Sequence, residues 1–77
     1  MTNYEEAPKN AGKNAIQFAV ACIDDCTIGD LENVSSVDKT DCESWDITPE
    51  EWKWAIGAAL YAKQNGGSMM DDGRVVV

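Results

Sequence analysis

The sequence contains no histidine, few basic side chains and no apolar run long enough to cross a bilayer. Six lysines and arginines stand against fourteen acids, a formal charge of −8. Nucleic-acid backbones and anionic membranes repel such a chain, so neither is an expected partner. The longest apolar stretch, residues 15–23, is shorter than the roughly 20 residues of a membrane span. The first residues carry acids early, which predicts no signal peptide and a soluble, cytoplasmic protein.

The sequence also lacks recognisable catalytic motifs. Without histidine, with no cysteine in a motif that pairs it with a base, and with no glycine-rich phosphate loop, we expect neither an enzyme nor a cofactor. Three cysteines are an odd number and predict no secreted disulfide framework. Whether Cys22, Cys26 and Cys42 are free, bridged or metal-bound stays open, although small buried thiols are the commoner case and no metal site is predicted.

A chain of 77 residues is one small domain, residues 1–77. A domain of this size buries only about 60% of the surface of its unfolded chain, so its core is thin. The predicted class is mainly α: a small two-helix domain with a short helical turn and a short β element near the C-terminus.

Residues 1–10, which include Pro8, predict a loose N-terminal arm. From Lys13 onward apolar side chains follow a 3.6-residue period, which predicts an amphipathic helix over residues 11–26. Its predicted apolar arc contains Ala15, Ile16, Phe18, Ala19, Cys22, Ile23 and Cys26.

Residues 27–47 predict an acidic loop that contains a short helical turn. Thr27 and Asp30 resemble a capping box, which favours a turn of helix over residues 28–33. Residues 34–46 show neither helical nor strand periodicity and are predicted as loop. Because 13 residues without structure are unusual in a compact domain, a short strand within them is the alternative.

The helix predicted over residues 49–65 has the clearest start and stop signals in the sequence. Thr48 is the expected N-cap, Pro49 occupies the first helical position, and Glu51 completes the capping box. Gly66 provides a left-handed end. The tail, residues 66–77, has a turn signal at Asp72 and Gly73, and its closing valines predict a short edge strand or packing across the helices.

Two tryptophans lie two residues apart on this helix, and a helical wheel predicts different surroundings for them. With Trp52 taken as the centre of the core face, Ala55, Ile56, Ala59, Leu60 and Ala62 fall within about 80° of it. Trp54 and Tyr61 fall near the opposite side, beside Gly57 and Ala58. This second patch is either covered by the loop or the tail, or exposed as an aromatic interface; we expect Trp54 to face outward.

Acidic side chains are concentrated between residues 24 and 51, where ten acids accompany one basic residue, Lys39. This acidic segment either serves solubility or is directed at a basic protein surface, including that of a nucleic-acid-binding protein whose ligand it would mimic. Size and charge resemble those of the small acidic inhibitors of bacterial viruses and mobile elements. The residues predicted to bind the partner are Asp38, Asp41, Glu43, Trp45, Asp46, Glu50, Trp54 and Tyr61.

Two other functions stay open. A helical homodimer with a structural role would use the face of Trp54 and Tyr61 to build a four-helix bundle, with charge serving solubility alone. A cysteine-based metal or redox module would use Cys22, Cys26 and Cys42. The first hypothesis remains a protein-binding inhibitor or modulator.

Overall fold

The computed structural model describes residues 12–34 and 36–76. Within these residues the chain forms four helices and then a two-stranded hairpin: α1 (Lys13–Asp25), α2 (Ile28–Glu32), α3 (Lys39–Trp45), α4 (Pro49–Asn65), β1 (Ser68–Met69) and β2 (Val75–Val76). This is the predicted mainly α class with a short β element. The predicted loose arm, residues 1–10, lies outside the described residues. No helix in the described part is both long and apolar enough to cross a bilayer.

The two longest helices lie where the sequence predicts them. In α4 the Thr48 hydroxyl accepts from the Glu51 N–H, and the Glu51 carboxylate accepts in return from the Thr48 N–H. Gly66 ends the helix with φ +67°, a left-handed conformation that glycine adopts without strain. In α1, Ala15, Phe18, Ala19 and Cys22 are buried, which confirms the predicted apolar arc. The capping box of Thr27 and Asp30 starts α2.

The prediction of a loop over residues 34–46 is wrong, because α3 occupies half of that segment. The Asp38 carboxylate caps α3 by accepting from the N–H groups of Thr40 and Asp41. The helix buries none of its seven residues, so it lacks the apolar stripe by which helices are recognised. The described residues of this segment contain no strand, so the alternative of a short strand is also wrong.

In the core, α4 is the central helix, in contact with every other described element. Its fully buried alanines, Ala55, Ala58, Ala59 and Ala62, are packed in one core with Ala15 and Ala19 of α1. Methyl-sized side chains let helices approach closely. The Lys63 ammonium donates to the Ile23 carbonyl at 2.7 Å, which satisfies a free acceptor in the last turn of α1.

The two tryptophans lie on the two edges of the buried face of α4. Trp52 is 4% exposed and Trp54 is 9% exposed, and the four buried alanines lie between them on the helical wheel. The core face is therefore centred on the alanines rather than on Trp52. The expectation that Trp54 faces outward is wrong. Tyr61 and Gly57 are half-buried.

The tail contains the predicted turn and forms a two-stranded hairpin around it, so of the two alternatives for the closing valines the short strand is confirmed. Met69 pairs with Val75 and Ser68 with Val76 in antiparallel register. Gly73 has φ +88° in the turn, where the Arg74 guanidinium and the Asp72 carboxylate form a salt bridge of 2.7 Å. Both strands contact α4, and buried Val75 joins the core. The hairpin thus adds a further layer against the central helix.

Candidate protein-binding groove

A groove of about 490 Å³ opens where the four helices meet. Its floor is apolar and includes Phe18, Cys22, Leu31, Trp45, Trp52 and Ile56. Its rim carries four aspartates: Asp25, Asp30, Asp38 and Asp41. We call this feature the acidic groove. Val34, which is 38% exposed, also lines it and presents apolar surface to water.

Aromatic side chains from three helices meet in the acidic groove. The rings of Trp45 in α3 and Phe18 in α1 lie 5.4 Å apart between centroids and are tilted by 59°, an arrangement favourable for aromatic pairs. Trp45 is only half-buried. Trp52 is buried and donates its indole N–H to the Asp41 carboxylate at 3.3 Å. One indole therefore offers accessible surface while the other orients an acid of the rim.

Three of the four rim carboxylates are fixed by hydrogen bonds from the protein. Asp41 accepts from the Trp52 indole. Asp38 accepts from the backbone N–H of Thr40 at 2.9 Å, and Asp30 accepts from the backbone N–H of Thr27 at 3.1 Å. This last bond holds the pKa of Asp30 below its usual value. Carboxylates fixed in this way lose little conformational entropy when a cation binds.

The groove has negative charge that no residue of its lining neutralises. None of the lining residues is lysine or arginine, and in the described part of the chain the salt bridge of Arg74 with Asp72 lies elsewhere. Burial, together with the nearby Cys26, Asp41 and Asp25, raises the pKa of the Cys22 thiol to about 12. The pKa of Cys42 is raised by burial and by the neighbouring Asp41, Asp38 and Glu43. Both thiols therefore stay protonated at neutral pH.

Of the predicted site residues, the structure places three in the acidic groove: Asp38, Asp41 and Trp45. Glu43, Asp46 and Glu50 are exposed but do not line it. Trp54 is buried, and Tyr61 is half-buried outside the groove.

Sequence reasoning missed Asp25, Asp30 and Trp52 as groove residues. The capping box at Thr27 was the available signal for Asp30, because it fixes the direction of that carboxylate. Nothing local indicated that the indole of Trp52 would reach α3.

The chemistry available in the groove is that of binding. Across the described residues, no three side chains among the cysteines, aspartates and glutamates converge to hold a metal ion. The three cysteines are free thiols. What the lining offers is apolar contact, fixed negative charge and an accessible indole face. No protein-family model matches this chain, and neither the curated proteins nor the solved structures contain a significant match.

Proposed function

We propose that this protein is a small protein-binding modulator that recognises a basic surface on a target protein through the acidic groove. The single observation behind the proposal is the combination of an apolar floor with four carboxylates that have no basic neighbour in the groove lining. Large apolar side chains at the floor supply buried contact area, and the carboxylates select for positive charge.

The remaining acids of the acidic segment have a different role in this proposal. Asp24, Glu32, Glu43 and Glu50 are exposed and lie outside the groove lining. Exposed charges at the edge of an interface mainly accelerate association and make it sensitive to salt. Groove carboxylates, which lose water on binding, mainly set the lifetime of the complex. The proposal thus divides one run of acids into two functional groups.

The concave shape of the groove favours a modulator that receives part of its partner over one that imitates nucleic acid. A mimic of nucleic acid presents carboxylates on a surface that enters the binding groove of its partner. Here Asp25, Asp30, Asp38 and Asp41 surround a depression. Burial of Trp54 also removes the anchor expected for a homodimer through its face.

Two matched variants test the proposal. The groove variant D25N/D30N/D38N/D41N removes four negative charges while keeping a carbonyl oxygen as acceptor at each position, so the caps of α2 and α3 are retained. The control variant D24N/E32Q/E43Q/E50Q removes four charges from exposed positions outside the lining. Both variants therefore have the same formal charge.

Tagged wild-type and variant proteins are used to capture partners from a lysate of the source organism, at two salt concentrations. We expect the groove variant to lose a partner that the control variant still retains, and we expect high salt to weaken capture by the wild type. Circular dichroism checks that both variants are folded. Equal loss in the two variants would mean that overall charge, rather than the groove, attracts the partner.

A further inference from the structure

We infer that the occupant of the acidic groove is a short segment of a partner protein in which cationic side chains flank a single apolar side chain. The inference rests on the proposed function and makes it more specific, because it names the part of the partner that enters the groove. A partner bound in this way inserts a side chain into the groove, whereas a partner bound by charge alone would only cover a broad acidic surface. Three features of the groove lead to it.

The first feature is the size and chemistry of the depression. A volume of about 490 Å³ accommodates side chains rather than a whole secondary-structure element. The half-buried Trp45 and the exposed Val34 leave apolar surface of the groove in contact with water. An inserted aliphatic side chain would cover this surface, and burial of such a side chain contributes more to affinity than any one exposed charge pair.

The second feature is the spacing of the acids. Asp25 ends α1, Asp30 lies in α2, and Asp38 and Asp41 lie at the start of α3. No three metal-binding side chains converge anywhere in residues 12–34 and 36–76, so the rim does not focus on one point charge. Charges distributed over three elements are matched by at least two separate cations. A peptide with a cationic residue on each side of an apolar one supplies them.

The third feature is the partly accessible indole of Trp45. The ring of Trp45 belongs to the groove lining and is half-buried. A guanidinium or ammonium group gains from the face of an indole as well as from a carboxylate. Arginine also stacks its planar group on aromatic rings and pairs with carboxylates through two hydrogen bonds, so we expect arginine to bind more tightly than lysine.

The test uses the indole N–H signals of ¹⁵N-labelled protein in solution NMR. Trp45 and Trp52 line the groove, whereas Trp54 does not and serves as an internal control. Single tryptophan-to-phenylalanine variants assign the three signals. The probe is the blocked peptide Arg-Ala-Leu-Ala-Arg, titrated at low salt. Its matched peptides replace leucine by serine or both arginines by glutamine, and spermidine serves as a small organic cation.

We expect the leucine peptide to shift the signals of Trp45 and Trp52 and to leave that of Trp54 in place. The serine and glutamine peptides should each bind about tenfold more weakly, because each loses one of the two contributions. The groove variant D25N/D30N/D38N/D41N should bind the leucine peptide more weakly than the control variant D24N/E32Q/E43Q/E50Q does.

Three results would overturn the inference. Equal binding of the leucine and serine peptides would show that charge alone suffices, which leaves the proposed function standing. Spermidine binding as tight as that of the peptide would assign the groove to small organic cations. If no probe shifted any signal, the inference of an inserted segment would be refuted. The lysate capture experiment would then test the proposed function independently.

Discussion

The indole N–H of Trp52 in α4 donates to the carboxylate of Asp41 in α3 at 3.3 Å. Because α3 has no buried residue, it is held against the core by side-chain contacts, among them this hydrogen bond and the ring contact of Trp45 with Phe18. A helix with so little burial belongs to the least stable part of a fold. The wall of the acidic groove therefore depends on side-chain contacts that substitutions can test.

The two tryptophans of α4 provide a matched pair of substitutions. Trp52→Phe loses a hydrogen bond to a charged acceptor, and we expect a loss of about 2 kcal/mol in the free energy of unfolding. The indole nitrogen of Trp54 is buried and has no acceptor among the described residues, so Trp54→Phe removes an unsatisfied donor. That relief offsets lost packing, and we expect a change within about 1 kcal/mol.

Urea unfolding followed by circular dichroism measures both changes on the same scale. Circular dichroism is preferred over fluorescence because each substitution removes a fluorophore. A Trp54→Phe variant destabilised as strongly as Trp52→Phe would contradict the prediction, since it would mean that the Trp54 indole has a hydrogen-bond partner or that packing alone decides both values.

The stability of the protein should fall on acidification because of Glu51. Its carboxylate accepts from the Gly12 N–H at 3.0 Å and from the Thr48 N–H at 2.9 Å, and these bonds lower its pKa below the ordinary 4.5. A lowered pKa in the folded state stabilises the fold above the ordinary pKa, and this stabilisation is lost as pH falls through the folded pKa. Because Glu51 is only half-buried and solvent screens its charge, we expect a modest effect.

The measurement compares wild type with Glu51→Gln from neutral pH down to about pH 3, below the ordinary carboxyl pKa. The wild type should be more stable at neutral pH, and the difference should shrink as the carboxylate becomes protonated. Glu50→Gln is the control, because Glu50 lies in the same first turn and shares its interaction with the helix dipole. A difference for Glu51→Gln that does not vary with pH would refute the assignment.

Substitution of Asp46 should stabilise α3. Asp46 has φ +54° at the end of this helix, the only positive φ outside glycine among the described residues. Asparagine adopts this conformation more readily than most residues, and a negative charge there opposes the helix dipole. We expect Asp46→Asn to raise the free energy of unfolding by about 0.5 kcal/mol, measured as an increase in Tm.

Glu50→Gln also removes one negative charge, but at a helix N-terminus, and should lower Tm instead. Comparing Asp46→Asn with Glu50→Gln therefore separates the local effect of the helix dipole from the effect of net charge. If both substitutions moved Tm in the same direction, relief of net charge would be the better explanation.

Cys22 should be the slowest of the three thiols to react with iodoacetamide in the folded protein. It is 5% exposed, and its pKa is raised to about 12 by burial and neighbouring groups. Only the thiolate reacts, so both access and ionisation are limited. Peptide mass spectrometry after brief alkylation should find Cys26 modified well before Cys22, and denaturant should abolish the difference. Equal rates in the folded protein would show that α1 opens readily at its C-terminal end.

Local signals were sufficient for much of the secondary structure. Thr48, Pro49, Glu51 and Gly66 specify the ends of α4 through hydrogen bonds and backbone angles within a few residues, so its predicted bounds are confirmed. The capping box of α2 acts at the same short range. The periodic apolar arc located α1 to within two residues.

The helix α3 was not predicted, because local signals alone do not identify it. Asp38 is a good N-cap, but residues 39–45 contain no apolar period because α3 buries none of them. It is attached by a ring contact with Phe18 of α1 and a hydrogen bond from Trp52 of α4, and both partners lie in other helices. The outward orientation predicted for Trp54 failed for a related reason. A helix in contact with every other described element buries a wider arc than an amphipathic surface helix does.

The sequence by itself determined where the main helices begin and end, the mainly α class and the excess of negative charge, because capping, periodicity and net charge are local or additive properties. Only the tertiary structure decided which acids share a groove and which tryptophan orients one of them, because those relationships depend on how four helices pack. The acidic groove is a property of that packing: four of the ten acids of the acidic segment line its rim.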